Sequence, residues 1–262
     1  MAEFYELCYI MILAGVIVFI TLYFVDAGYG KLMNEKWGPT INNKVGWCLM
    51  ECPVFLVVLF FWLKSDVRFS IPYLIFFILF EFHYFHRSFI GPFLMRGNGQ
   101  IPIVIMAMSI VFNLINGFIQ GKFLFELAPD PSVSEYASKY TIDWLSDPRF
   151  IIGLIVFIVG MVINMHSDYI IRHLRKPGDT RHYLPKGGMY KYVTSANYFG
   201  EIVEWTGWAI MTWSVAGFVF VWFTMANLVP RANSIYHKYE KEFAEEFSAH
   251  TPKLKRIFPF IY

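Results

Sequence analysis

Of 262 residues, 56% are hydrophobic, 20% aromatic and only 16% charged, whereas a soluble domain has about 45–50% apolar and about 25% charged residues. That composition, with a net charge of +2, excludes intrinsic disorder, nucleic-acid binding through a basic patch and most water-soluble folds. Cys8, Cys48 and Cys52 form no CxxC motif and have no histidine placed to complete a zinc set, so they read as small apolar residues and no metal site is expected.

A membrane-crossing helix needs about 20 apolar residues. In chain order, Leu7–Val25 is uncharged and lacks the basic start and small-residue cleavage site of a signal peptide, so it reads as a retained helix. Val45–Leu63 is apolar except for Glu51, and Phe69–Phe85 except for Glu81 and His83. Ile101–Gly121 and Phe150–Ser167 carry no charge. Trp205–Pro230 is uncharged for 26 residues, long for one helix and short for two. Loop charge decides between them, because cytoplasmic loops collect Lys and Arg. If the stretch is two short spans, starting near Asn197 and turning near Ser214–Gly217, then 17 of the 22 Lys and Arg lie on one side. Lys64, Arg68, Lys122, Lys139 and Arg149 make up the other 5. The expected fold is therefore all-α and multi-pass, with seven transmembrane helices, the N-terminus outside and the C-terminus cytoplasmic. Residues 1–262 read as a single membrane-embedded domain with no internal repeat. The acidic linker Lys122–Arg149 reads as an outside excursion, and the turn-rich Arg172–Asn197 segment as a polar loop suited to an anion.

Ionisable residues inside a span are functional candidates. Glu51 lies inside the second span, and the third ends Glu81-Phe82-His83-Tyr84-Phe85-His86-Arg87. Tyr84 and His83 lie three and four residues before Arg87, so all three share a helix face. Asn113, Asn116 and Gln120 form a stripe whose plainer reading is helix–helix hydrogen bonding. Asn164 and Asp168 point together, as do Asn197, Glu201 and Glu204, and Arg231, Lys238 and Tyr239 follow the last span. Arg87, Arg172, Arg175, Arg181 and Arg231 suit phosphates, which guanidinium forks match in geometry. No GxGxxG, P-loop, HExxH or GxSxG motif is present.

At these residues the chain resembles the membrane steroid 5α-reductase family, the 3-oxo-5α-steroid 4-dehydrogenases. The resemblance is carried by Glu51-Cys52-Pro53, by His83-Tyr84-Phe85-His86-Arg87, and by Asn164-Met165-His166-Ser167-Asp168-Tyr169-Ile170 running on to Leu174-Arg175-Lys176-Pro177-Gly178. Gly187-Gly188, Tyr192-Val193, Ala196-Asn197, Gly200-Glu201-Ile202-Val203-Glu204-Trp205 and the closing Pro259-Phe260-Ile261-Tyr262 add to it. It implies a seven-helix bundle that takes NADPH from the cytoplasmic side and reduces the C4–C5 double bond of a 3-oxo-Δ4 steroid. By motif, Glu51 and Tyr84 would hold the 3-keto oxygen, while Arg87, Asn164, Asp168, Arg175, Asn197, Glu201, Arg231 and Tyr239 would contact the cofactor, so the resemblance implies that 1–125 lie mainly on the substrate side and 148–262 mainly on the cofactor side. The steroid would enter from the surrounding lipid of an endoplasmic reticulum or bacterial inner membrane. Two departures stand out: the loop arginine is displaced to Arg181, and Asn233-Ser234-Ile235-Tyr236-His237 replaces a histidine-rich run.

Hydride addition to an enone builds negative charge on the ketone oxygen, and a donor aimed there stabilises the transition state more than the ground state. Tyr84 can donate, and Glu51 can donate as the neutral acid. Two other readings keep a similar architecture: reduction of another lipid enone, a polyprenol or trans-2-enoyl chain, and an isoprenylcysteine-type methyltransferase using S-adenosylmethionine. A channel or transporter fits poorly with seven unequal spans and no internal repeat.

Overall fold

The computed structural model describes residues 2–26, 28, 30–32, 35–97, 99–132, 140–176, 179 and 181–262. It is a helical bundle. The long helices are α1 (Ala2–Phe24), α2 (Asn43–Lys64), α3 (Ile71–Phe85), α5 (Ile103–Lys122), α6 (Pro148–His173), α7 (Ala196–Thr212) and α8 (Val215–Glu242). Short helices α4 (Gly91–Leu94) and α9 (Ala244–Ser248) follow α3 and α8. Strands β1 (Thr40–Asn42) and β2 (Gln100–Pro102) pair antiparallel, Ile41 opposite Ile101, and so bring the starts of α2 and α5 together. Five of the helices, α1, α2, α5, α6 and α8, are long and apolar enough to cross a membrane. Their outer faces match that role: Tyr9, Leu13 and Ile17 on α1 and Ile152, Ile155 and Val162 on α6 are exposed. Soluble monomers rarely leave contiguous apolar surface of this kind uncovered.

Helix boundaries follow local chemistry. Asp147 caps α6 by accepting from the Arg149 backbone N–H (2.8 Å), with Pro148 at the first helical position. The long apolar stretch after Trp205 breaks into two helices. α7 stops at Thr212, Trp213 adopts a left-handed backbone (φ 46°), and the Ser214 hydroxyl accepts from Gly217 N–H (3.0 Å) to start α8. The third span does not end at Phe85. The helix continues through a π-helical turn, His86–Ile90, into α4. Arg87 is tolerated there because acids of the bundle face it. The linker after α5 packs back against the end of α7. Tyr140 and Trp144 are buried, Trp144 Nε1 donates to Met211 O (3.1 Å), and the Tyr140 hydroxyl donates to Thr212 O. Residues 133–139 of that linker, with Lys139, lie outside the described residues.

Glycines set the closest helix pair. Gly153 and Gly160 on α6 interlock with Gly200 and Gly207 on α7, each pair seven residues apart. A Cβ on Gly160 would overlap the Glu204 backbone nitrogen, and one on Gly200 would overlap that of Asn164. Small residues let membrane helices approach to backbone contact. This approach puts Asn164 and Asp168 beside Asn197, Glu201 and Glu204. An aromatic core of Phe76, Phe80, Phe157, Trp205, Trp208 and Phe220 fills the centre. The Asn113–Gln120 stripe serves as interhelical hydrogen bonding. Asn113 Nδ2 donates to Met50 O (2.7 Å) on α2, Gln120 Nε2 to Ala216 O (2.7 Å) on α8, and Trp208 Nε1 to Gln120 Oε1 (3.0 Å).

Candidate active site

A cavity of about 370 Å³ lies at the end of the bundle that holds the β1–β2 pair, within the roughly 300–1,000 Å³ usual for small-molecule sites. Helix α2 contributes Trp47, Met50 and Glu51 to its wall; α3 and the π-turn contribute His83, Tyr84, His86 and Arg87. From α6 come Asp168 and Arg172, and from α7 and the segment before it Tyr190, Ser195, Asn197 and Glu201. Helix α8 supplies Arg231 and Tyr239 at one end and Phe220 and Phe223 at the other, where Phe112 of α5 stacks on Phe223 (4.4 Å between ring centres).

The wall therefore has two chemistries. The aromatic part runs from Phe223 through Phe112 to Phe220; Trp205, in the core behind it, lies 4.3 Å from Phe220 and stacks at 5.7 Å on Tyr84, which again borders the cavity. In the charged part, the Arg87 guanidinium lies 3.7 Å from Asp168 Oδ2 and 3.8 Å from Glu201 Oε2, and packs over the Trp47 ring. These separations are ion pairs, too long for hydrogen bonds. Arg231 is buried on the wall and donates from NH2 to the Tyr198 hydroxyl (3.1 Å). Tyr190 donates to Asn197 Oδ1 (3.3 Å). Deeper, His83 Nδ1 and Glu204 Oε1 lie 2.7 Å apart, both side chains buried.

A family model for 3-oxo-5-alpha-steroid 4-dehydrogenase matches residues 99–262, which carry α5 to α9 and most of the charged wall. The chain is 38% identical over 260 residues to human 3-oxo-5-alpha-steroid 4-dehydrogenase 1, covering 98% of this chain and 94% of the relative. It is 40% identical over 249 residues to steroid 5-alpha-reductase DET2 of Gossypium hirsutum, covering 93% and 91%. Against the Arabidopsis thaliana steroid 5-alpha-reductase DET2 the identity is 38% over 275 residues, covering 99% and 97%. The chain belongs to the 3-oxo-5-alpha-steroid 4-dehydrogenase family. It is thus a member of a family of oxidoreductases, and the sequence resemblance extends along nearly its whole length.

The structure gathers eight of the ten residues that family motifs single out onto one cavity: Glu51, Tyr84, Arg87, Asp168, Asn197, Glu201, Arg231 and Tyr239. Asn164 sits behind the wall. It is buried, and its Nδ2 donates to the Asn197 carbonyl (2.9 Å), so it fixes the start of α7. Arg175 is exposed and off the cavity wall, and its carbonyl accepts from Arg96 NH1 (2.8 Å). Arg181 is likewise removed from the arginine cluster. Its guanidinium holds Asp179 through two hydrogen bonds (3.1 and 3.0 Å), which together with the Tyr183 hydroxyl keep that carboxyl well below the usual carboxylate range. Among the described residues, the arginines on the wall are thus Arg87, Arg172 and Arg231.

The loop after α6 is anchored rather than free over residues 181–195. Leu184 is buried against Ile235, Tyr239 and Leu254, His182 pairs with Glu242 (2.7 Å), and Lys186 pairs with Glu246. Sequence reading left three features unassigned. One is the aromatic arm, because Phe112, Phe220 and Phe223 look like any core residues. Another is the Tyr190–Ser195 wall, held by backbone bonds from Thr194 N to Lys255 O (2.9 Å) and Ser195 N to Arg256 O (3.2 Å). The last is the partnership of His83 with Glu204, which only the packing of α3 on α7 creates.

Proposed function

We propose that this protein uses NADPH to reduce the C4–C5 double bond of a 3-oxo-Δ4 steroid to the 5α product. The observation that carries this reading is one cavity in which Glu51 and Tyr84 stand between an aromatic arm and an arginine-bearing wall. An apolar, flat-ringed ligand suits the Phe112, Phe220 and Phe223 arm. The donor set of the opposite wall fits a dinucleotide: Arg172 and Arg231 offer guanidinium forks for phosphate, and Ser195, Asn197, Tyr198 and Tyr239 offer hydroxyls and an amide for ribose and nicotinamide. Arg87, Asp168 and Glu201 would hold the nicotinamide end, Asn164 would act through Asn197, and Arg175 stands at the rim. The cofactor, when bound, would supply the hydride to C5, and the resulting enolate takes a proton at C4, from Tyr84 or from water, to give the saturated ketone. The chain's own part is to fix the enone and stabilise charge. The Tyr84 hydroxyl donates to the 3-keto oxygen as negative charge gathers there, and Glu51 meets the same oxygen from α2. Such a donor aimed at the oxyanion accounts for about 10²–10³ in rate.

The same reading takes α3 and α7 as spans alongside the five longer helices, seven in all, with the N-terminus outside and the cavity at the cytoplasmic end. The membrane is that of the endoplasmic reticulum in a eukaryote or the inner membrane in a bacterium. Steroid then reaches the aromatic arm from lipid while cofactor arrives from the cytoplasm. The test is incubation of purified protein with NADPH and a 3-oxo-Δ4 steroid, with chromatographic detection of the 5α-reduced ketone. Product formation is expected. Reduction of a polyprenol or trans-2-enoyl chain with no steroid turnover would replace the substrate class, and methyl transfer from S-adenosylmethionine would replace the reaction.

A further inference from the structure

Glu204 is completely buried, with a carboxylate oxygen 2.7 Å from His83 Nδ1, and no step of the proposed reduction uses it. A buried ionisable pair costs solvation that well-packed apolar residues would not, so it is a poor choice for mere stability. Its surroundings suggest another use. The His83 ring meets Tyr84 edge-on (5.1 Å, 72°) and Trp205 edge-on (4.6 Å, 63°), and Trp205 stacks on Tyr84 (5.7 Å, 26°). Phe80 closes the remaining side of Tyr84 at 4.9 Å. Two adjacent residues of α7, Glu204 and Trp205, thus grip two adjacent residues of α3, His83 and Tyr84. The grip is directional only through the His83–Glu204 hydrogen bond, since aromatic contacts alone let a ring slide and tilt.

We propose that His83 and Glu204 are positioning residues that hold the Tyr84 ring so that its hydroxyl stays aimed into the cavity. The proposal rests on the role given to Tyr84 above. A donor displaced by about 1 Å can cost on the order of 10² in rate, so Glu204, buried behind the wall, should govern turnover without touching cofactor or steroid, and His83, which borders the cavity, should act through the Tyr84 ring.

Three variants separate this from a structural role: Glu204→Leu removes the hydrogen bond, Glu204→Gln keeps one, and His83→Phe keeps the ring packing only. Steroid kcat and the KM for NADPH are measured for each. Fluorine resonances of 3-fluorotyrosine placed at position 84 are recorded on the same detergent-solubilised proteins. Glu204→Leu should lose about 10²-fold in kcat with KM for NADPH within twofold, His83→Phe should lose as much in kcat, and Glu204→Gln should recover most of the loss. The fluorine signal should be one fixed environment in the wild type and Glu204→Gln, and shifted or averaged in the other two. Wild-type kcat with an unchanged fluorine signal in both Glu204→Leu and His83→Phe overturns the proposal, as does an equal loss in Glu204→Gln. If Glu204→Leu does not fold, His83→Phe decides by the same criteria. If the wild type reduces no steroid, the functional reading fails, while the fluorine signals still decide whether the pair holds Tyr84.

Discussion

Tyr84 is gripped by rings and presents its hydroxyl to the cavity, so removing that oxygen tests chemistry with little disturbance of packing. Tyr84→Phe is expected to cut steroid turnover by about 10²–10³ while NADPH affinity stays near wild type, read by initial rates beside a binding titration. Glu51→Ala should lose turnover in the same way. If either variant loses cofactor binding first, its residue belongs to the cofactor wall. On that wall, Asn197 and Arg175 make a contrasting pair. Asn197 lines the cavity, and losing one hydrogen bond to a neutral ribose or amide group costs about 0.5–1.5 kcal/mol, more where its partner is left unsatisfied. Asn197→Ala should therefore weaken NADPH binding by up to about 10-fold. Arg175→Ala, at an exposed position off the wall, should leave it within twofold. Equal losses in the two variants would mean that the rim takes part in binding.

Two contacts between elements shape the site. The first is the glycine interlock of α6 and α7. Gly160→Ala must push a methyl group into the Glu204 backbone, and overpacking of this kind costs about 1–3 kcal/mol. A melting temperature lowered by several degrees is expected, with a larger loss of activity, because the same shift separates Asn164 from Asn197 and moves Glu204 relative to His83. A variant with wild-type melting and turnover would show that the helices can part without harm. The second contact is the anchored loop. Leu184 is its apolar peg under Ile235, Tyr239 and Leu254. Leu184→Asp puts a charge into that contact, so trypsin should cut after Arg181 and Lys186 faster than in the wild type. Unchanged cleavage would mean that the His182–Glu242 and Lys186–Glu246 pairs suffice to hold the loop.

For the whole molecule, the arrangement of helix ends makes the topology testable. Strand pairing joins the starts of α2 and α5, Arg96 reaches the Arg175 carbonyl beyond the end of α6, and Tyr23 meets Tyr262 through their hydroxyls (3.0 Å). These contacts share the cavity end, whereas Tyr140, Trp144 and the α7–α8 break share the opposite one. In a background without the native cysteines, Ser132→Cys and Lys241→Cys should therefore label from opposite sides of sealed vesicles. Labelling from the same side would overturn a seven-span bundle.

The helical, membrane-type character of the chain was legible from composition, because lipid-facing surfaces must be apolar over whole helices and backbone polar groups must be satisfied internally. The break between α7 and α8 was legible from loop charge. The site types were legible too, since Glu51 and the His83–Arg87 cluster are costly in apolar segments and so stand out one by one. Proximity was not. That Arg87 faces Asp168 and Glu201, that Arg175 and Arg181 lie off the cavity wall, and that Glu204 grips His83 depend on how closely α6 meets α7 and how α3 continues through a π-turn. Those are properties of packing between segments up to 121 residues apart in sequence. A linear pattern records which faces are apolar, but side-chain volumes and backbone approach decide which faces meet.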